Sequence, residues 1–433
     1  MIVHIVGGGL SGSEAAYYLS SKGHNVVLHE MRPVKMTEVH RTALLAELVC
    51  SNSLKSESLT NAEGLLKAEM RMIGSVILDC AEKARIPAGK ALAVDREIFS
   101  LCVTRAVESS GVKIIREEIK EVSPKDDEIW VIASGPATSE SLAKSIRAMT
   151  GGEDFYFFDA VAPIVTRESI DMDKAFFGSR YEESGDYINC PMTEEEYKEF
   201  WRELVSAETI PVEDFDRKHL FERCMPIEEI AKSGENALLF GPLRPVGLVD
   251  PRTGKRPFAV VQLRRDNKDG TLYNIVGFQT RLRWGEQERV LKKIPCLRNA
   301  EIVRYGVMHR NIYINSPKIL DVFMRLKDGI FFAGQITGVE GYVESAMSGL
   351  YVAFNIDRIL RGKSPVRFPR ETMIGALTHY ITEDIEGDLR PMYANFGILK
   401  PLEKRIKNKQ ERRKALSERA LRKLESFLEN LKS

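Results

Sequence analysis

An apolar run, Ile2-Val3-His4-Ile5-Val6, ends directly on Gly7-Gly8-Gly9-Leu10-Ser11-Gly12, and this turn restricts the fold more than any other stretch of the chain. A helical stretch through Ser13, Glu14, Ala15, Ala16, Tyr17, Tyr18 and Leu19 follows, then a second strand-like run, Asn25 to Glu30. The pattern Gly7-x-Gly9-x-x-Gly12 between a strand and a helix has a direct physical reading. Gly7 permits the tight turn, Gly9 removes the Cβ that would block a pyrophosphate, and Gly12 lets helix and strand pack closely. The helix start at Leu10 offers free N–H groups and the positive end of its dipole to phosphates. Glu30 ends the second strand eighteen residues after Gly12, where an acid can accept from ribose hydroxyls.

NAD, FAD and S-adenosylmethionine all use such a turn. A distant segment, Gly334-Gln335-Ile336-Thr337-Gly338-Val339-Glu340-Gly341, favours FAD. Its small residues bring backbone close to a ligand, and the helix expected from Tyr342 to about Leu360 points its positive end there, suited to a reduced flavin. Ser134-Gly135 after the strand-like run Ile129 to Ala133 adds a third turn of this kind. No second G-x-G-x-x-G is present, so a nicotinamide is expected only as a transient visitor.

The order of elements predicts an α/β fold: a Rossmann-like FAD-binding domain with a mostly parallel sheet, interrupted by an inserted α+β domain. The expected limits are 1–153 for the first part of the FAD domain, 154–302 for the insertion, 303–365 for its second part and 366–433 for a helical C-terminal region with a basic tail. The net charge of +1 hides an uneven distribution. From Lys400 to Ser433 there are twelve Lys/Arg against five Glu, and from Arg244 to Arg283 nine basic residues against three Asp. Two cationic islands suggest a polyanionic partner. No apolar run approaches the ~18 residues that cross a bilayer, and the N-terminus reads as a strand and not a signal peptide.

Six cysteines, Cys50, Cys80, Cys102, Cys190, Cys224 and Cys296, occur without a C-x-x-C pair. This spacing argues against a structural metal or a disulfide framework and for individual thiols in a reducing cytoplasm. Cys80 and Cys102 read as buried small hydrophobes, Cys190 as structural before it is catalytic, and Cys296, after Pro295, shows nothing that marks it for chemistry. Cys50 lies in the polar loop Leu48 to Ser56. Cys224 precedes Met225-Pro226-Ile227, a helix start beside Arg223, where a thiol is acidified. The pattern alone leaves Cys224 open between nucleophile and structural thiol.

Several stretches together resemble one family. They are Gly7 to Ala16, Glu30-Met31-Arg32-Pro33, Glu47-Leu48-Val49-Cys50-Ser51-Asn52-Ser53, Pro87 to Arg96, and Asn189-Cys190-Pro191-Met192-Thr193. Cys224 to Glu228, Gly254-Lys255-Arg256-Pro257, Gly306 to Asn311 and Gly334 to Gly349 continue the match. The chain resembles the folate- and FAD-dependent tRNA uracil-5 methyltransferases, the TrmFO family.

That resemblance implies methylation of uridine 54 in the tRNA T-loop, with carbon from 5,10-methylenetetrahydrofolate and reducing equivalents from NAD(P)H through FAD. In the family, a thiolate adds to uracil C6 so that C5 can attack an electrophilic methylene, and the reduced flavin relays the methylene or supplies the hydride. Cys224 is expected as the nucleophile and Cys50 as its flavin-side partner, a base. Gly7, Gly8, Gly9, Leu10, Gly12, Glu30, Arg32, Ser134, Gly135, Gly334, Gln335, Gly338, Gly341 and Tyr342 are expected to hold the cofactor. His309, Tyr342 and Trp284 are alternatives for stacking on folate, and Arg96 for reaching folate or flavin. Arg252, Lys255, Arg256, Arg264 and Arg265 are expected to meet tRNA phosphates, with Phe258 and Trp284 stacking nearby. No metal and no obligate protein partner are expected. The alternative is a related FAD enzyme that modifies the wobble uridine, whose family carries a longer C-terminal region.

Overall fold

The computed structural model describes residues 1–431 except 38, 152–153, 161, 181, 211–224, 267–269, 307, 328, 384–388, 390 and 405, so Cys224 lies outside the described residues. The side chains of 154–160, 182–184, 303 and 308–312 are likewise outside it, and His309 is placed by its backbone alone.

The strand Ile2–Val6 sits inside a six-stranded sheet whose order is Arg325–Lys327, Ile330–Phe332, Glu128–Ile132, Ile2–Val6, Asn25–His29 and Lys113–Ile115. All pairings are parallel except that of the edge strand Arg325–Lys327. Strands buried on both faces carry little polar alternation, and Val3, Ile5, Leu28, Val131 and Phe332 are fully buried. The sheet joins the two ends of the sequence, because Ile330–Phe332 pairs with Glu128–Ile132, which pairs with Ile2–Val6.

The second six-stranded sheet is antiparallel where paired, in the order Phe176–Ser179, Glu182–Met192, Ala259–Arg265, Leu272–Ile275, Ile164–Thr166 and Ile302–Arg304. It has its own core, including Val165, Ile188, Tyr197, Phe200 and Ile275. The helix Glu194–Ser206 starts on a complete capping box, Thr193 accepting from the Glu196 N–H while the Glu196 carboxylate accepts from Thr193. A two-stranded ribbon, Asp154–Ala160 against Met308–Ile314, carries the chain out of the first sheet and back.

The basic tail forms the helix Lys409–Asn430, capped by Asn408, whose side chain accepts from the Gln410 and Glu411 N–H groups. Its apolar stripe packs on the first core through Leu416, Ala420 and Leu424, and Phe427 lies 5.0 Å from Phe368 between ring centroids. Ser417 donates to the Leu59 carbonyl at 2.6 Å, so the helix is docked and not a free arm.

One expectation needs correction. Cys80 and Cys102 form a disulfide, as do Cys190 and Cys296, with Cα separations of 5.6 and 5.8 Å. Sequence spacing hid these pairs because each partner comes from a different element. Cys80 is on the helix Val76–Lys83 and Cys102 on Arg96–Ser109, whereas Cys190 is on a strand and Cys296 follows the helix Trp284–Leu291.

Two buried carboxyls cap helices from a distance. Glu14 accepts from the Val76 and Ile77 N–H groups and from Ser75 Oγ. Glu69 accepts from the N–H groups of Met373 and Ile374 at 2.7 and 2.9 Å, at the start of the helix Met373–Thr382. Burial pushes the Glu69 carboxyl from the ordinary 4.5 up to about 8. The folded chain therefore keeps this proton where the unfolded chain releases it. Its contribution to stability is full in acid and declines as pH rises between those two values. Glu69→Gln retains an acceptor without the ionisation, so its urea midpoint should fall less between pH 5 and pH 8 than the parent's. Glu69→Ala leaves two buried donors unpaired and should cost on the order of 1–3 kcal/mol at either pH.

Candidate functional site

The three turns expected to hold a dinucleotide converge on one cleft, lined among others by Gly7, Gly9, Glu30, Ser134, Gly135 and Gln335. It lies at the carboxyl ends of the parallel strands, where open α/β sheets bind ligands. Gly7 has φ +104°, and a Cβ there would lie 2.6 Å from the Ala133 carbonyl oxygen. A Cβ on Gly12 would overlap the Gly7 carbonyl, so the helix Leu10–Ser21 could not sit against the strand. At Gly9 no protein atom lies within 4 Å of such a carbon, which would project into open space beside the cleft. These properties are those of a pyrophosphate cradle, and FAD is a group these residues fit.

Glu30 and Arg32 form the acidic corner of the cleft. Glu30 accepts from the Gly8 N–H at 2.8 Å, from the Arg32 N–H at 2.9 Å, and from Arg32 Nε and Nη2 at 2.9 and 3.1 Å. Burial opposes ionisation of Glu30, but the Arg32 hydrogen bonds outweigh it and hold the carboxyl below the usual range. The acid thus braces the glycine turn as well as lining the cleft, a role that spacing did not reveal. Arg32 is itself buried, and its guanidinium also reaches the Thr42 carbonyl and the Glu47 carboxylate.

On the opposite wall, Gly334 and Tyr342 line the cleft, while Gly338 and Gly341 shape the backbone behind it at φ +89° and +120°. The helix Tyr342–Leu360 starts here with no side chain capping its first N–H groups. Tyr342 Oη accepts from the N–H groups of Cys50 at 2.7 Å and Ser51 at 3.2 Å and lies 2.9 Å from Cys50 Sγ. With both acceptor positions of the phenol used, its single proton goes to sulfur, and Sγ is the acceptor. Burial, then the proximity of Cys50, pushes the Tyr342 phenol well above its ordinary range, so the proton stays on oxygen and is available to donate. The expectation that Tyr342 stacks on folate concerned only its ring; the hydroxyl is committed to the Cys50 loop.

Around that loop are three arginines. Arg264 donates through Nε to Asn52 Oδ1 at 2.9 Å and through Nη2 to Ser51 Oγ at 2.7 Å. Arg96 donates to the Leu48 carbonyl at 3.2 Å and pairs with Asp266 at 3.1 Å. Arg304 donates to the Val39 carbonyl at 3.3 Å, and burial, then Arg96, lowers its pKa.

The expected phosphate contacts divide. Arg264 is only 9% exposed, which corrects its placement on an RNA-facing surface. Strand alternation explains the error, since neighbouring residues on Ala259–Arg265 point to opposite faces and Arg264 turns toward the Cys50 loop. Arg252 is engaged by Asp250 through Nε at 2.9 Å and Nη2 at 2.7 Å, so its charge is already matched. Phe258 packs against Tyr197 at 5.4 Å as part of the inserted core and is not a free stacking platform. Lys255 and Arg256 are exposed and Arg265 half-exposed. Trp284 is 62% exposed and stacks on Tyr305 with centroids 5.0 Å apart.

Residues that spacing missed include His40 and Glu117, both in the cleft lining. Burial, then Arg32, pushes the His40 imidazole down to about 4, leaving it neutral. Glu117 was within reach of sequence reasoning, because it follows the carboxyl end of the parallel strand Lys113–Ile115. The segment carrying Cys224 is bracketed by its described neighbours: the Ile210 N–H donates to the Arg281 carbonyl and the Ile227 N–H to the Gln279 carbonyl, at 2.9 and 2.8 Å. Trp284 begins the helix just beyond.

The family model described as Glucose inhibited division protein A matches residues 2–364. The protein named Methylenetetrahydrofolate–tRNA-(uracil-5-)-methyltransferase TrmFO from Thermotoga sp. (strain RQ2) is 66% identical over 432 residues, covering 99% of each chain. The protein of that name from Thermosipho africanus (strain TCF52B) is 58% identical over 436 residues, covering both chains completely. Among solved structures, Aquifex aeolicus GidA in its form II crystal superposes with a TM-score of 0.69 at 16% identity, covering 99% of this chain and 76% of that one. That likeness concerns the fold.

Gly9→Val places a branched side chain in the cradle. The purified variant should lose bound dinucleotide while keeping its far-ultraviolet circular dichroism; full occupancy measured by absorbance would remove the cleft from consideration.

Proposed function

The chain belongs to the TrmFO family of methylenetetrahydrofolate–tRNA-(uracil-5-)-methyltransferases, and from that premise we propose how its residues divide the work. The enzyme methylates C5 of a tRNA uracil with carbon from methylenetetrahydrofolate, as a flavoprotein using FAD with NAD(P)H as reductant. Relatives 66% and 65% identical to the chain carry the tRNA-(uracil-5-)-methyltransferase name, which sets the wobble-uridine alternative aside. Among the described residues no helix is long and apolar enough to cross a membrane.

Gly7, Gly8, Gly9 and the N–H groups at Leu10 would hold the pyrophosphate, Glu30 the ribose, and Gln335 and Tyr342 the far end of the cofactor. Bound FAD supplies the reducing equivalents that the transferred carbon needs to become a methyl group. The protein must then make uracil C5 nucleophilic. In our reading the Cys224 thiolate adds to C6, the ring becomes an enolate, and C5 attacks the methylene carbon. Cys50 takes the C5 proton, and the bonds from the methylene carbon to the folate nitrogens break to release tetrahydrofolate. A hydride equivalent at that carbon completes the methyl group as the C6–sulfur bond breaks, restoring the aromatic ring and releasing Cys224. The observation that carries the role of Cys50 is the 2.9 Å contact of its Sγ with Tyr342 Oη, because a phenol donor beside the sulfur favours the thiolate over the neutral thiol. The target is read as uridine 54 of the T-loop, swung outward to meet Cys224.

Lys255, Arg256 and Arg265 are the proposed phosphate contacts, with exposed Trp284 as a stacking surface beside the ends of the Cys224 segment. Arg252 and Arg264 leave that set.

Three measurements check this reading. Unmodified tRNA incubated with the enzyme, methylenetetrahydrofolate and NADH should gain one methyl on the T-loop uridine by mass analysis. Cys224→Ala should abolish both that gain and the gel-stable adduct with 5-fluorouracil-containing tRNA; an adduct of unchanged yield would exclude Cys224 as nucleophile. Charge reversal at Lys255 and Arg256 should weaken tRNA binding and flatten its salt dependence, leaving NADH oxidation intact. Unchanged affinity across salt concentrations would exclude this patch.

A further inference from the structure

Arg264 belongs to the inserted sheet, yet every side-chain hydrogen bond described for it goes to the loop that carries Cys50. Its two donors fix the residues immediately after the thiol, Ser51 and Asn52. Asn52 is fully buried and closes the connection by donating to the Arg265 carbonyl at 2.8 Å and the Val94 carbonyl at 3.2 Å. Asn52 thus ties the inserted sheet to the strand Ala91–Val94, which forms a small three-stranded sheet with Ser53–Ser56 and Arg85–Ile86.

The charge on Arg264 is the unusual part. Among the described residues no carboxylate lies within ion-pairing distance of it, and the nearby Asp266 is taken by Arg96. The hydrogen bonds to a hydroxyl and an amide engage two of the guanidinium donors but supply no negative charge. A buried cation without a counter-ion is costly, and such a site favours whatever neighbouring group can become an anion. Burial, the largest influence, lowers the Arg264 pKa, and Tyr187, Asp266 and Cys50 pull it back up while Arg96 opposes them. The groups facing Cys50 are thus Tyr342 as donor, Arg264 as cation, and the Arg96–Asp266 pair, with Arg304 behind Tyr342.

We propose that Arg264 is a positioning residue for the reaction: from the inserted sheet it fixes the Cys50 loop, and its charge holds the Cys50 sulfur as a thiolate. This deepens the reading of Cys50 as a functional thiol and rests on it for its bearing on turnover. Because the same side chain ties the inserted sheet to the Cys50 loop, displacement of that sheet against the loop would alter the thiol.

The test is the pH dependence of Cys50 alkylation by iodoacetamide in the flavin-loaded full chain carrying Cys224→Ser, followed by peptide mass. The parent should alkylate with a midpoint below the ordinary thiol value of about 8.5. Arg264→Gln should raise the midpoint by about one pH unit, slowing alkylation at neutral pH about tenfold, and Arg264→Lys should return most of that shift. Asp266→Asn removes a neighbouring negative charge and should move the midpoint the other way, which keeps the test available if Arg264→Gln does not fold. A folded Arg264→Gln protein with the parent profile overturns the proposal, as does a Lys variant that gives no rescue or an Asp266→Asn profile that does not move downward. A Cys50→Ser enzyme with full methylation activity would instead overturn the functional reading of Cys50, while the alkylation profile still reports on Arg264.

Discussion

Everything at the cleft depends on backbone approaching backbone around Ser11. A Cβ on Gly349 would overlap the Ser11 carbonyl, and one on Gly334 would come within 3.0 Å of the Ser11 side chain. Only with hydrogen at these positions can the helices Leu10–Ser21 and Tyr342–Leu360 cross closely enough for both N-termini to face one cleft. Two positive helix ends at one place suit a ligand with a diphosphate at one side and an electron-accepting ring at the other. The parallel pairing of Ile330–Phe332 with Glu128–Ile132 supplies the rigid base for that crossing.

The second organising feature is the seam between the two sheets. The glycine turn and Tyr342 belong to the first domain, while Arg264 and Asp266 come from the inserted one, and the Cys50 loop lies between them. Tyr342 holds the loop by its main chain and Arg264 by the side chains of Ser51 and Asn52. The thiol is thus placed by elements from both domains and owes little to its own loop. The buried charges follow a similar division: Glu30 is satisfied by Arg32 and the glycine turn, whereas Glu14 and Glu69 are spent on helix starts far from the cleft.

The basic islands have different fates. The tail helix uses its apolar stripe to dock on the first core, and Arg419 is held there by the Pro401 and Lys400 carbonyls. In the inserted domain, Arg252 and Arg281 are matched by acids, Arg264 is buried at the seam, and Lys255 and Arg256 remain exposed. A count of charges along a sequence overstates the charge a surface can present, because neighbours in space neutralise what neighbours in sequence do not.

Local chemistry was legible in the chain itself. The roles of Gly7, Gly9 and Gly12 follow from steric rules that act within a few residues, as do the Asp95 and Thr193 caps and the strand–turn–helix rhythm that implied a parallel sheet. The small-residue segment from Gly334, which lines the same cleft, was legible for the same reason, since small residues before a helix start mean close approach wherever they occur. What tertiary structure decided was every pairing between distant elements: Cys80 with Cys102, Cys190 with Cys296, Glu69 with a helix three hundred residues away, and Arg264 with Ser51. Such contacts carry no local signature, because propensity and periodicity report on neighbours along the chain, and which faces meet is settled only when two sheets bury their surfaces against common loops.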